Sequence, residues 1–175
     1  MNHFNYQEDF KTLYNKAVSE FSQGNKDMST YYSEAEIALI KSNGWRIQDF
    51  FDYAEDAAYD NVPTYEMAQS IEQARREYFF NTQNSTPSTK LIYSKDLTAK
   101  NESLAGLTWL PRIIEKAKGK LSGELADEIM YCCGGDRNFL STHNVHPAEF
   151  LRVVLDNWDN QQAIIDFVKN RSTSM

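Results

Sequence analysis

The segment covering residues 104–117 constrains the fold most, because it brings a glycine, an aromatic residue, a proline and two spaced basic residues together in one short stretch. Pro111 has no backbone N–H and fits only the first turn of a helix. Apolar residues then recur at helical spacing and predict a buried stripe of Leu110, Ile113, Ile114, Ala117 and Leu121. Arg112 and Lys116 are four positions apart, so they share one face of the same helix, and we expect both to point outward.

Two cations near the start of a helix oppose its macrodipole, which costs a few tenths of a kcal/mol for each. The pattern therefore predicts an anion or a carboxylate close to Arg112 and Lys116. Asp136 and Trp109 complete the candidate site, because Arg grips a carboxylate or phosphate at two points and Trp can form the wall of a pocket. The simpler interpretation is a structural ion pair between Asp136 and one cation, with Trp109 in the core.

Composition indicates a folded protein without a membrane span. The chain has 175 residues, of which 41% are hydrophobic and 13% aromatic, too many aromatics for a disordered chain. No apolar run approaches the 18 residues of a membrane helix. The first residues lack a signal-peptide pattern, and the only cysteines are the adjacent Cys132 and Cys133, which rarely form a disulfide. These features predict a cytoplasmic location.

Charge is distributed unequally along the chain. Residues 1–83 contain 14 acidic and 7 basic side chains, whereas residues 84–175 contain 11 of each. A sequence pI of about 5.0 argues against general nucleic-acid binding, which requires a net basic face. The lysines and arginines between residues 90 and 120 leave room for a small anionic ligand.

Four helices are predicted in residues 1–83 from the recurrence of apolar residues. They cover residues 6–21, the segment between Ser33 and Gly44, residues 45–60 and residues 65–80. Ser33 and Glu36 form a capping-box pattern before the second helix, and Thr64 is the predicted N-cap of the fourth.

The third of these helices has an acidic side. Its carboxylates recur at spacings of three and four, at Asp49, Asp52, Asp56 and Asp60, with Glu55 beside them. A solvated face is the simpler interpretation. The alternatives are a basic partner, either Arg75 and Arg76 or the cations of residues 104–117, and metal chelation, for which no histidine is suitably spaced. Arg75 and Arg76 cannot both lie on an apolar stripe, so we expect surface arginines.

The second half begins after a polar, uncharged linker that contains Pro87. Within it, Leu91-Ile92-Tyr93 is consistent with a short extended piece. Ser122 is the predicted cap of a helix that carries Leu125, Ile129 and Cys132, and the pair Gly134-Gly135 is expected to break it. Three further helices are predicted after this break. The first is a short helix that restarts at Asp136 and contains Phe139 and Leu140, the second begins at His146-Pro147, and the last is capped by Asp159 with Gln162.

Cysteine and histidine side chains cluster in sequence at Cys132, Cys133, His143 and His146. Adjacent cysteines do not match the ligand spacing of zinc sites, so we expect no metal and no cofactor. A Cys/His nucleophile pair would require an electropositive pocket. The simplest interpretation is that both cysteines are small buried residues.

Several motifs occur in an order that is similar to a known family. They are Leu104-Ala105-Gly106, Leu110-Pro111-Arg112, Lys116-Ala117, Gly123-x-Leu125, Cys133-x-x-Asp136-x-x-Phe139-Leu140 and Asp159-Asn160-Gln161-x-Ala163-Ile164. Together they resemble the uncharacterised bacterial domain of unknown function 5069, over about residues 95–170. The resemblance implies no activity, ligand or catalytic residue. The family pattern before this aspartate reads Cys-Pro-Leu-Asp, whereas this chain has Cys133-Gly134-Gly135-Asp136.

The first half carries a second resemblance. Gly44, Phe51-Asp52-Tyr53-x-Glu55-Asp56 and Arg75-Arg76-x-Tyr78-Phe79 are similar to a segment that can precede this domain.

We therefore predict an all-α protein. An N-terminal unit of about four helices (1–83) and a linker (84–94) precede a C-terminal domain of about five short helices (95–171), and the two helical parts are expected to pack together. The leading hypothesis is a module that binds a small anion or a protein partner around Arg112, Lys116 and Asp136, close to the acidic helix. The alternatives are an enzyme that uses Asp52 or Asp136 as a general base beside these cations, and a docking protein with an apolar patch.

Overall fold

The computed structural model describes residues 3–59 and 61–173. Contacts divide the chain into two compact units, Met1–Pro87 and Ser88–Met175, and the division falls inside the segment expected to be a linker. Both units are helical, so the all-α class is confirmed. The only strands within the described residues form one two-stranded hairpin.

The described residues of the first unit form four α-helices, as its apolar periodicity predicts. They are α1 (Tyr6–Ser22), α2 (Glu34–Ser42), α3 (Ile47–Tyr59) and α4 (Tyr65–Asn81), with a 3-10 turn at Met28–Thr30. The capping box of Ser33 and Glu36 is confirmed, and the Thr64 hydroxyl accepts the Met67 N–H at the start of α4. Asp60, which was expected to end the third helix, lies outside the described residues.

Aromatic rings fill the interior of the first unit. Phe10 of α1 is 1% exposed, and its ring centroid lies 5.2 Å from that of Phe50 and 5.4 Å from that of Trp45. Such tilted and edge-to-face pairs stabilise a core beyond the area that they bury. Aromatic side chains therefore pack α1 against α3 and against the segment that precedes α3.

Up to residue 173, the second unit contains four α-helices rather than about five. They are α5 (Leu110–Ser122), α6 (Gly134–Thr142), α7 (Pro147–Asp156) and α8 (Gln161–Ser172), preceded by a 3-10 turn at Ser94–Asp96 and a hairpin of β1 (Ser103–Leu104) and β2 (Leu107–Thr108). Pro111 lies in the first turn of α5 and Pro147 in that of α7, as predicted.

A tight turn leads into α5. Leu104 pairs with Leu107, and the two residues between them, Ala105 and Gly106, both have positive φ values of 53° and 84°. Two positive φ values are typical of a type I′ hairpin turn, which matches the twist of the flanking strands. Trp109 follows the hairpin directly and is the N-cap residue of α5. The turn at Ala105 and Gly106 therefore helps to position the indole side chain at the start of this helix.

Helix α5 is buried on almost every side. The apolar stripe is confirmed, because four of its side chains are 0% exposed: Leu110, Ile113, Ala117 and Leu121. The expectation of two outward cations is wrong, because Arg112 is 8% exposed and Lys116 3%. Neighbouring loops and α6 cover this face of the helix as well, so both charges need partners inside the unit.

The helix predicted after Ser122 does not form. Ser122 is the last residue of α5, and Gly123, with φ of 69°, ends that helix in the left-handed conformation. Leu125 instead forms a parallel bridge with Ile92, where the Ile92 N–H donates to Glu124 O at 2.7 Å. The apolar residues of 125–132 are therefore buried in a loop and not on a helix. Ile92 lies in the short segment that the sequence predicted to be extended.

Two helix starts also differ from expectation. Gly134-Gly135 begins α6 rather than breaking a helix, because Cys133 adopts an extended conformation at the N-cap. The N-cap of α8 is Asn160, whose side chain accepts the Ala163 N–H, and not Asp159. Asn and Asp are equally good N-caps, so residue type alone does not distinguish these two neighbours.

No α-helix among residues 3–59 and 61–173 combines the length and the apolar character needed to cross a lipid bilayer.

The ion pair between α1 and α2 generates a prediction about pH. Lys16 Nζ lies 2.7 Å from Glu36 Oε2, and this hydrogen bond, together with that from the Ser33 N–H, lowers the pKa of Glu36 from 4.5 to about 2. Because the folded pKa lies below the unfolded one, the stabilisation is present above about pH 4.5 and is lost as the pH falls towards 2. We expect Glu36→Gln to lower the free energy of unfolding by about 1 kcal/mol at pH 7, since the pair is partly exposed.

Urea unfolding between pH 7 and pH 2 tests this expectation. The difference between the wild type and Glu36→Gln should shrink across the acidic range. Glu34→Gln is the matched control, because Glu34 lies in the same first turn but is exposed. A constant difference at every pH would contradict the prediction.

Candidate functional site

Asp136 is the centre of a buried polar cluster in the second unit. It is 0% exposed, and its carboxylate forms an ion pair with Lys116 Nζ. Trp109 Nε1 donates to Asp136 Oδ1 at 2.9 Å, and the Cys132 backbone N–H donates to Oδ2 at 2.9 Å. Three donors therefore satisfy one enclosed carboxylate, as a buried charge requires.

Local sequence explains how these groups reach one another. Asp136 lies in the first turn of α6, where the helix macrodipole favours a negative charge. Trp109 and Cys132 both have positive φ values, of 78° and 71°. Non-glycine residues pay an energetic penalty there, of about 1–3 kcal/mol each, and such conformations persist where surrounding interactions enforce them. Both strained residues bind the same carboxylate.

Gly135 allows the indole to approach helix α6 closely. A Cβ atom at this position would lie 2.5 Å from Trp109 Cζ2, closer than real Cβ contacts. The neighbouring Gly134 has only the end of a flexible arginine within 4 Å, at 3.9 Å. The glycine pair is therefore not a break in a helix: its second member makes room for the ring that binds Asp136.

A pocket of about 470 Å³ opens beside this cluster, and we call it the Arg112 pocket. Its lining consists of Ser94, Lys100, Trp109, Arg112, Lys116, Glu128, Ile129, Met130, Cys133 and Gly135. Three of these residues are cationic and one, the exposed Glu128, is acidic. Asp136 does not line the pocket, since it is enclosed behind Lys116 and Trp109.

Arg112 is held in this pocket by neutral groups. Its Nη1 donates to the Thr98 carbonyl at 2.7 Å, and its Nη2 lies 3.5 Å from Ser94 Oγ. The guanidinium carbon is 6.0 Å from the ring centroid of Trp109. Within the described residues, no carboxylate lies within ion-pair distance of Arg112. Of the two cations predicted to need an anion, Lys116 thus has one in Asp136, whereas Arg112 faces a cavity.

Cys133 also belongs to the site, whereas the sequence analysis grouped it with the histidines and expected a buried residue. It is the N-cap of α6, it is partly exposed, and Lys116 Nζ donates to its Sγ at 3.2 Å. Cys132, in contrast, is 0% exposed. Sequence reasoning missed Lys100, Ser94 and Glu128, because segments without periodic pattern bring them to the pocket.

The histidines belong to other interactions. His143 Nδ1 lies 2.7 Å from Ser172 Oγ, burial lowers the pKa of His143, and its ring centroid is 4.6 Å from that of Phe139. His146 Nδ1 accepts the Ala148 N–H and so caps α7. Among the described residues, no group of three or more His, Cys, Asp or Glu side chains is placed to hold a metal ion. The two histidines thus engage Ser172 and the backbone of α7, and neither of them lines the Arg112 pocket.

The candidate arginines of the first unit are buried. Arg75 is 3% exposed and Arg76 7%, so the expectation of surface arginines is wrong. Arg76 Nε donates to Asn43 Oδ1 at 2.7 Å, and its guanidinium lies 4.0 Å from the ring centroid of Tyr6. Arg75 Nη1 donates to Gln83 Oε1 at 2.6 Å. The two guanidinium groups therefore contact amide oxygens and aromatic faces where solvent was expected. The periodicity of α4 does not reveal these contacts.

Charge in this unit is likewise less exposed than predicted. Burial lowers the pKa of Arg75 to about 10, against the opposing effect of Glu72 and Asp49. Asp49 is 5% exposed, so the solvated acidic face is wrong for this residue. Asp52 and Asp56 are half-buried, and Asp52 Oδ1 accepts a hydrogen bond from Gln48 Nε2 at 2.7 Å. The expected approach of this acidic helix to the cations of residues 104–117 stays a prediction.

No family model, curated protein or solved structure matches this chain. The resemblance to the domain of unknown function 5069 therefore stays a prediction, and the case for function depends on the geometry of the site.

The two glycines of α6 offer a matched test of the Trp109–Asp136 contact. We expect Gly135→Ala to lower the free energy of unfolding by about 1–3 kcal/mol, because the new methyl group overlaps a rigid ring. Gly134→Ala should be neutral or stabilise by up to about 1 kcal/mol, since its surroundings are open and alanine restricts the unfolded chain. Chemical denaturation of both variants measures the difference, and equal effects would contradict the contact.

Proposed function

We propose that the second unit binds a small anion, a carboxylate or phosphate compound, in the Arg112 pocket. The observation that carries the proposal is the state of Arg112: its side chain is 8% exposed, it lines the cavity, and its hydrogen-bond acceptors are neutral. A buried cation is costly unless an opposite charge accompanies it. A bound anion would supply that charge.

The chemistry of the pocket favours an anion over other ligands. Lys100 and Lys116 add to the charge of Arg112, while Glu128 is the single acid in the lining. A guanidinium presents two parallel donors, which suit the paired oxygens of a carboxylate or phosphate. A volume of about 470 Å³ lies in the usual range for small-molecule sites, and the indole of Trp109 supplies an apolar wall.

The enzyme alternative has weaker support. Asp136 accepts hydrogen bonds from Trp109 and Cys132 and is paired with Lys116, so its oxygens are already engaged. A general base must reach the proton that it removes, and Asp136 does not line the pocket. Asp52, the other candidate base, belongs to the first unit.

The two reduced cysteines support a cytoplasmic location for the binding protein.

Isothermal titration calorimetry with inorganic phosphate and with succinate tests the proposal. We expect at least one of them to bind the wild type with a Kd below about 1 mM. Arg112→Gln should weaken this binding at least about tenfold, or about 1.4 kcal/mol, because the paired donors are lost. Arg112→Lys should have an intermediate effect, since it keeps the charge and loses the planar fork.

The matched control is Arg152→Gln, which removes an equal charge from an exposed position of α7 outside the pocket. Circular dichroism verifies that each variant is folded. Failure of both anions to bind the wild type, or equal weakening by Arg112→Gln and Arg152→Gln, would overturn the proposal.

A further inference from the structure

One backbone step separates two cysteines with opposite surroundings. Cys132 is 0% exposed, whereas Cys133 is partly exposed and lines the Arg112 pocket. Lys116 Nζ lies 3.2 Å from Cys133 Sγ, and Cys133 is also the N-cap residue of α6. A nearby cation and a helix N-terminus are the surroundings in which reactive cysteines are found.

We propose that Cys133 is the nucleophile of the Arg112 pocket and exchanges with anionic low-molecular-weight disulfides. The inference rests on the proposed function, because the same cations that bind the anion would bring the disulfide to the sulfur. It assigns the pocket a thiol-modification chemistry in addition to binding.

The placement of charge explains the preference for an anionic partner. Arg112 and Lys100 line the same cavity as the sulfur, and Arg112 has no carboxylate within ion-pair distance among the described residues. A pocket of one charge sign raises the local concentration of opposite charge and the rate of encounter. The Lys116 ammonium group is paired with Asp136 and also donates a hydrogen bond to Cys133 Sγ. Lys116 therefore positions the sulfur, and Cys133 is the nucleophile.

The proposed step is a thiol–disulfide exchange. The Cys133 thiol gives its proton to solvent, and the Sγ thiolate attacks one sulfur of the disulfide. A new Sγ–S bond forms while the S–S bond of the reagent breaks, and the departing thiolate takes up a proton. Cys133 is thereby oxidised to a mixed disulfide, and half of the reagent is reduced to a thiol.

Cys132 does not resolve this mixed disulfide. Its side chain is fully buried, and its backbone N–H is held by Asp136 at 2.9 Å. The modification is therefore reversed by an external thiol and not by the neighbouring cysteine, so it should accumulate as a single stable adduct.

A charge series of disulfides tests the inference on the full chain. The probes are glutathione disulfide, which is anionic, bis(2-hydroxyethyl) disulfide, which is neutral, and cystamine, which is cationic. Intact mass and peptide mapping follow the adduct at each cysteine. Relative to the urea-unfolded chain, the native protein should favour glutathione disulfide over the neutral probe at least about tenfold at Cys133, and added salt should reduce this preference.

Variants locate the preference in the pocket. Arg112→Gln and Lys100→Gln should each reduce it, whereas Arg152→Gln should not, and Cys133→Ser should abolish the adduct. Modification of Cys132 in the folded protein, or a charge preference no greater than that of the unfolded chain, would overturn the inference.

Phosphate titration of the wild type separates this inference from the proposed function. Phosphate binding without a charge preference at Cys133 would overturn the thiol chemistry alone. Absence of phosphate and succinate binding would overturn the proposed function, while a charge preference that disappears in Arg112→Gln would still support the reactive thiol.

Discussion

The second unit depends on enclosing the charge of Lys116 beside Asp136. Helix α5 is buried on nearly all sides, so a lysine in its second turn must either leave the interior or find a carboxylate there. Asp136 supplies the carboxylate, and Trp109 and the Cys132 backbone complete its hydrogen bonds. Since a half-satisfied buried pair destabilises a fold strongly, this cluster fixes how α5, α6 and the loop before α6 meet.

The same arrangement leaves an imbalance of charge. Lys116 is compensated by Asp136, whereas Arg112, one turn earlier on the same face, has neutral acceptors and opens onto a cavity. Stability alone does not favour such a guanidinium, because removing it from water is costly without an opposite charge. The proposed binding site is therefore the place where a buried charge lacks a charged partner from the chain. Trp109, one of the two residues with a strained backbone, forms part of its wall.

Local chemistry could be predicted from the sequence, and long-range packing could not. Pro111, Ser33 with Glu36, and Thr64 act within one helical turn, so the starts of α5, α2 and α4 were predicted correctly. The helix predicted after Ser122 failed because apolar spacing does not distinguish a buried loop from a helix. An ion pair between Asp136 and one of the two cations was anticipated, and Lys116 is the cation that forms it.

Burial of these cations was not anticipated, since it depends on Ser94, Thr98 and other residues of irregular segments. The pair Gly134-Gly135 is consistent with the close approach of a side chain to the backbone, but a helix break explains the same two residues equally well.

Trp109 and Gly135 also line a second cavity, of about 410 Å³, that includes Phe139 and His143. One indole is thus a partition with space on both sides. A change that swings the ring would enlarge one cavity at the expense of the other, so the volumes of the two cavities are coupled through a single side chain.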